Sequence, residues 1–212
     1  LQDHLYALLR MAQTHGLSRV FVHACLDGRD TPPQSARHYM TALQETMQRQ
    51  GIGAVATVMG RYYGMDRDQR WERTEKAYQA MVHGQGREAI DAVAAIERSY
   101  HEGVTDEFVV PVVLRQTDGS PVSTIQDGDV VVCFNFRADR VRQMTQTLTD
   151  QHFTGFPRPQ RLEVHYTCLT HYSPDFDLPV AFPPQAFTDI LAEAFAQYGI
   201  HNLRVAETEK YA

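Results

Sequence analysis

Two short stretches, far apart in the chain, hold arginines where folding alone has little use for them. They are Arg61-Tyr62-Tyr63-Gly64-Met65-Asp66-Arg67 and Phe134-Asn135-Phe136-Arg137-Ala138-Asp139-Arg140. The apolar run over residues 130–136 predicts a buried strand, and the residues after it predict a helix start. Arg137 and Arg140 are then expected in the first turn of that helix, three apart and on one face. A helix dipole disfavours cations there by a few tenths up to ~1 kcal/mol. A helix N-terminus that follows a strand is instead a place for anions. Two guanidinium groups in that position point to an anion that recruits them, a small phosphorylated or carboxylated molecule.

A third segment, Asp27-Gly28-Arg29-Asp30-Thr31-Pro32-Pro33, sets a cation beside a carboxylate in a tight turn. Arg29 would serve as a bidentate donor to an oxyanion, and Asp30 as an acceptor for a substrate hydroxyl. The plainer alternative is a solvated corner, since Asp-Gly and Pro-Pro are common loop punctuation. Arg61 lies at the end of an apolar run over residues 54–59, one glycine beyond it, where a solvated salt bridge gains under ~1 kcal/mol. Ligand contact is therefore the better reading for Arg61 and, after it, for Arg67. The alternative there is a helix-leading loop with ion pairs among Asp66, Arg67, Asp68 and Arg70.

The elements that must position these groups alternate. Leu5, Leu8, Leu9 and Met11 give a helical stripe ending near Gly16, and residues 19–26 follow as a strand. Ser35 is placed to cap a helix over 36–50, which Gly51 and Gly53 end; residues 54–59 form the next strand. Helical spacing over 69–83 and 87–101 is separated by Gly84-Gln85-Gly86. Residues 108–114, a turn at Thr117-Asp118-Gly119-Ser120-Pro121 and a return segment predict a hairpin-like excursion. The strand over 130–136 leads into a helix through Leu148. A strand over 162–169, a helix over 184–198 and a strand over 203–206 complete the pattern. Such alternation predicts an α/β fold: one three-layer domain with a mainly parallel or mixed central sheet and helices on both faces. The loops after Leu26, Gly60 and Phe136 all leave carboxyl ends of strands, where ligands of open α/β sheets bind. They are expected to meet at one site.

At 212 residues the chain can bury a sizeable core. A formal net charge of −6, with the arginines set among acids, argues against a nucleic-acid or membrane-surface partner. No run reaches the ~18 apolar residues of a membrane span, and the start lacks a basic stretch followed by an apolar one. A cytoplasmic protein is expected. Cys25, Cys133 and Cys168 lack CxxC spacing and are expected to be buried free thiols. The ten histidines form no HExxH motif; His165 and His171 are expected in packing or at the surface. None of Ser35, Ser99, Ser120, Ser123 and Ser173 lies in a GxSxG elbow. Anion clamps without a nucleophile or metal cluster look like half of an active site.

The Asp27 to Pro33 segment, the stretch from Gly60 through Trp71 to Arg73, the Phe134 to Arg140 stretch and Ala206-Glu207-Thr208-Glu209-Lys210-Tyr211 resemble, in order, motifs of the cofactor-independent phosphoglycerate mutases. Those glycolytic isomerases pair a phosphatase-like domain, carrying a serine nucleophile and two manganese ions, with an inserted domain that holds the glycerate. The resemblance covers nearly all of the chain and implies that it is the inserted substrate-binding (phosphotransferase) domain, residues 1–212. It implies exchange of 3-phosphoglycerate and 2-phosphoglycerate through a phosphoserine, with free glycerate reoriented in between. Arg29, Arg61, Arg67, Arg137 and Arg140 would grip carboxylate, hydroxyl and phosphoryl oxygens. Asp30 would handle the hydroxyl proton as the catalytic group, and Lys210 would offer the phosphate a point charge. The family's substrate-contacting histidine falls ahead of Leu1, and His4 does not replace it. The serine and the manganese ligands lie outside these residues, so no metal is expected on this chain. Two rivals stand beside this reading: a phosphate-ester or carboxylate binding module without chemistry, and a sugar phosphomutase.

Overall fold

The computed structural model describes residues 1–159, 161–185, 187–203 and 205. Lys210 and the 206–211 motif lie outside the described residues, as do two residues, 204 and 206, of the strand expected over 203–206.

Helix α1 (Gln2–Thr14) leads to strand β1 (Phe21–Leu26), helix α2 (Ala36–Gln50) and strand β2 (Ala54–Gly60). The first two strands run parallel, and their register pairs Leu26 with Gly60. Asp27 and Arg61, the next residues along each chain, therefore emerge side by side. A one-turn helix α3 (Arg61–Gly64) and helix α4 (Trp71–His83) follow. Strand β3 (Arg87–Ala89), helix α5 (Ala92–His101) and strand β4 (Val112–Leu114) complete a four-stranded sheet of order β1-β2-β4-β3. Strand β4 is antiparallel to β2 and parallel to β3, so the sheet is mixed. A second sheet holds β5 (Val130–Cys133) and β6 (His165–Cys168), paired in parallel. Helix α6 (Arg142–Thr149) lies between them in sequence, and helix α7 (Leu191–Gln197) comes last.

Helices cover both faces of the sheet. On one, Leu9 of α1, Met40, Leu43 and Met47 of α2 and Ala95 and Ile96 of α5 pack on Val22, Val55 and Val112. On the other, Ala77, Tyr78 and Met81 of α4 and Leu148 of α6 pack with Met59, Tyr166 and Cys168. Burying such side chains contributes about 1.5–3 kcal/mol each, which ties the strand ends to a rigid frame.

The structure corrects several expected elements. Residues 87–89 form a short edge strand rather than the first turn of a helix, because three residues are too few to show a period of two. The strand expected over 130–136 ends at Cys133 and is not buried: Val130 is 71% exposed and Val132 43%, since one face of this two-stranded sheet meets solvent. The expected return of the 108–114 excursion is reduced to one antiparallel bridge, Arg115 with Pro121. The last helix spans only Leu191–Gln197. Of the three cysteines only Cys168 is buried; Cys25 is exposed and Cys133 lies between. His165 and His171 are at the surface.

Candidate functional site

The turn after β1 is built on Asp27. Its Oδ1 accepts the backbone N–H of Arg29 at 3.2 Å and of Asp30 at 3.1 Å, a side-chain-closed turn that an Asp-Gly start favours. Gly28 has φ 69°, and a Cβ there would stand 2.7 Å from the Asp106 Cβ. A Cβ at Gly60 would stand 2.1 Å from the Glu107 carbonyl oxygen. A glycine just before each of Arg29 and Arg61 thus lets both loops close on one corner, the 3-10 turn Asp106–Phe108. Glu107 also lies 3.7 Å from Arg29 Nη1.

Asp106 itself is 1% exposed and caps α2 from outside that helix. Its Oδ2 accepts the N–H of Ser35 at 2.9 Å and of Ala36 at 2.8 Å, and its Oδ1 accepts the Tyr100 hydroxyl. Ser35 is the residue before the helix but not the capping acceptor expected; its hydroxyl donates back to the Pro32 carbonyl at 2.8 Å. Burial comes first, then the Asp106 bond, in pushing the Tyr100 hydroxyl's pKa well up.

Arg61 begins α3 and is 5% exposed. Its Nη1 donates to Asp27 Oδ1 at 2.5 Å and to Asp30 Oδ2 at 3.0 Å. Arg137 Nη1 reaches the same Asp30 oxygen at 3.4 Å. Arg67 Nη1 donates to Asp139 Oδ2 at 2.5 Å, and Arg137 Nε lies 3.7 Å from the other oxygen of Asp139. Arg140 Nη1 donates to the Met65 carbonyl at 3.4 Å. The three loops expected to converge are therefore knit together, and Arg29, Asp30, Arg61, Arg67, Arg137 and Arg140 share one region.

The second arginine stretch differs locally from its expected form. Ala138–Arg140 is a 3-10 turn preceded by Arg137, and α6 begins only at Arg142. The two arginines thus precede the α-helix instead of occupying its first turn, and carboxylates rather than a helix terminus fix Arg137. The ion pairs expected within the first stretch are also redrawn. Asp66 pairs with Arg73 at 3.3 Å, while Arg67 crosses to Asp139.

Charge shapes each group. The Arg61 hydrogen bond and charge hold the Asp30 carboxyl below the usual range, with Arg137 and Arg140 adding to it. Burial would lower the Arg61 pKa, but the bonds and charges of Asp30 and Asp27 outweigh it and raise it. Burial, then repulsion by Arg61 and Arg67, lowers that of Arg140. Arg61 Nε, Arg140 Nε and Asp139 Oδ1 are buried with no hydrogen-bond partner among the described residues. Buried polar atoms are nearly always partnered, and here three such atoms fall in one cluster.

Five groups of this region escaped the reading of sequence alone. Asp27 looked like turn punctuation and Asp139 like a first-turn acid. Asp106 and Glu107 come from a segment with no motif. Gln143, 6% exposed, accepts from the Gln69 N–H at 2.8 Å and donates to Asp66 at 3.0 Å and Thr74 at 3.1 Å. It ties the first arginine loop to α6. Among the described residues no group of three or more His, Cys, Asp or Glu could hold a metal ion.

A mixed α/β sheet and a second two-stranded sheet, with arginines and carboxylates gathered in the loops that leave the carboxyl ends of β1, β2 and β5, define an α/β domain with a charged cluster where ligands of open α/β sheets bind. Residues 1–174 match the family described as the BPG-independent PGAM N-terminus, and the chain belongs to that family. Over 211 residues it is 53% identical to the 2,3-bisphosphoglycerate-independent phosphoglycerate mutase of Moorella thermoacetica, covering 99% of this chain and 41% of the relative. The enzyme of that name from Myxococcus xanthus is 50% identical over 210 residues, with the same coverage. A solved structure of Leishmania mexicana phosphoglycerate mutase at low cobalt concentration superposes with a TM-score of 0.83 at 32% identity, over 93% of this chain and 38% of that one. The chain thus spans about two fifths of the curated relatives it matches.

Proposed function

We propose that this chain is the substrate-binding part of a cofactor-independent phosphoglycerate mutase, exchanging 3-phosphoglycerate and 2-phosphoglycerate in glycolysis through a phosphoserine. Arg29, Arg61, Arg67, Arg137, Arg140 and Lys210 bind the substrate, and Asp30 faces its hydroxyl. The serine, the two manganese ions and their ligands belong to a phosphatase-like domain elsewhere in the parent chain, in the cytoplasm. The observation that carries this reading is the convergence of Arg61, Arg137 and Arg140 on Asp30 in a chain matched to that family. A phosphoglycerate offers carboxylate and phosphate oxygens to guanidinium forks and a hydroxyl to a carboxylate, which suits this mixture of donors and one acceptor. Asp30, held ionised by Arg61, is set to accept that hydroxyl's hydrogen bond while free glycerate turns.

The exposed apolar surface beyond residue 180 supports a covering domain: Phe182, Phe187, Leu191 and Tyr198 are more than 60% exposed, and α7 buries none of its residues. Among the described residues no helix is long and apolar enough to cross a membrane.

Calorimetry with glycerate, 3-phosphoglycerate and a pentose phosphate separates this reading from its rivals. Preference for 3-phosphoglycerate is expected, weakened as rising salt shortens the Debye length below its ~8–10 Å at physiological strength. Preference for the pentose phosphate would favour the sugar phosphomutase.

A further inference from the structure

One oxygen near the arginine cluster joins the turn after β1 to the arginine that opens α3. Asp27 Oδ1 accepts the N–H groups of Arg29 and Asp30 and also Arg61 Nη1. It therefore sets the backbone that presents Asp30 and, at the same time, the guanidinium that neighbours it. Arg61 Nη1 is shared between Asp27 at 2.5 Å and Asp30 at 3.0 Å. Without the Asp27 charge the pull on Arg61 from that side weakens, and the guanidinium shifts toward the remaining carboxylate, Asp30. Both groups would then be engaged with each other rather than open to a ligand.

We infer that Asp27 is a positioning residue of this site, which acts on the ligand through Arg61 by keeping Asp30 only partly engaged. The inference rests on the functional reading above and deepens it. Asp27 touches no substrate in this scheme; it sets the two groups that do. A residue needed only for the turn would act regardless of Arg61, and that difference is measurable.

Asp27→Asn separates the two jobs, because its amide oxygen still accepts the two backbone N–H groups while the charge facing Arg61 is lost. Asp27→Ser, a weaker turn acceptor without charge, guards against a folding defect in the first variant. Titration of the chain with 3-phosphoglycerate is expected to show Asp27→Asn weaker by roughly five- to tenfold, the scale of one charge-assisted hydrogen bond. In an Arg61→Ala background the same substitution is expected to change affinity by less than about twofold, the sign of coupling through Arg61. Equal losses in both backgrounds, or none in either, would overturn the inference.

A ligand-free measurement separates failure of the inference from failure of the functional reading. The Arg61 Nε–H nitrogen signal is expected to be sharp and slow to exchange in the parent chain and broadened in Asp27→Asn. An unchanged signal overturns the inference whatever the chain binds. A parent chain that shows the sharp signal, loses it in Asp27→Asn and ignores 3-phosphoglycerate upholds the positioning and overturns the substrate.

Discussion

Arg140 shows how the site sets function against folding at the level of one side chain. Burial and the charges of Arg61 and Arg67 disfavour its cation, and its hydrogen bond to the Met65 carbonyl is long. Arg140→Gln is expected to raise the melting temperature by about 1–4 °C, the gain typical of relieving a strained functional group, while weakening 3-phosphoglycerate binding at least about tenfold. Thermal scans and calorimetry on the same preparation check both. The arginines were legible in the sequence because cations at strand ends and before helices need a reason. Asp27 and Asp139 were not, because an acid beside glycine or near a helix start already has an ordinary local explanation.

At the scale of elements, the register that pairs Leu26 with Gly60 sets Asp27 beside Arg61, and the 106–108 corner wedges the two loops. Gly60→Ala would drive a methyl into the Glu107 carbonyl. Overpacking of this kind costs about 1–3 kcal/mol, so the melting temperature is expected to fall by roughly 3–10 °C. The strand pairing also carries a pH signature. His23 on β1 meets Thr57 Oγ1 on β2 at 2.9 Å, and burial, opposed in part by Asp129, lowers its pKa to about 4. Unfolded, it would titrate near 6.5. Between these values the unfolded chain binds the extra proton, so stability is full above ~6.5 and declines as pH falls toward 4. Melting curves over that range are expected to fall more steeply for the parent chain than for His23→Gln. The helices and the β1–β2 pair were legible from periodicity. Strand β3 was too short, and the carboxylates that hold Arg137 and Arg67, Asp30 and Asp139, reach them across the fold, which periodicity does not show.

For the whole molecule, α7 and the apolar side chains around it contribute little to either core cluster. Replacing Leu191 and Tyr198 together by Ser is expected to leave the melting temperature within about 2 °C, since exposed apolar groups gain nothing from burial they do not make. The chain alone, with or without manganese, is expected to show no conversion of 3-phosphoglycerate, because the proposed nucleophile and metal ligands lie in the rest of the parent. Sustained turnover would place the chemistry on these residues after all. The central claim is that the arginine cluster holds phosphoglycerate, and a crystal structure of this chain grown with 3-phosphoglycerate tests it most directly. The account predicts the ligand's carboxylate and phosphate among Arg29, Arg61, Arg137 and Arg140 with its hydroxyl at Asp30; ligand bound elsewhere, with the Arg61 pairs to Asp27 and Asp30 undisturbed, would contradict it.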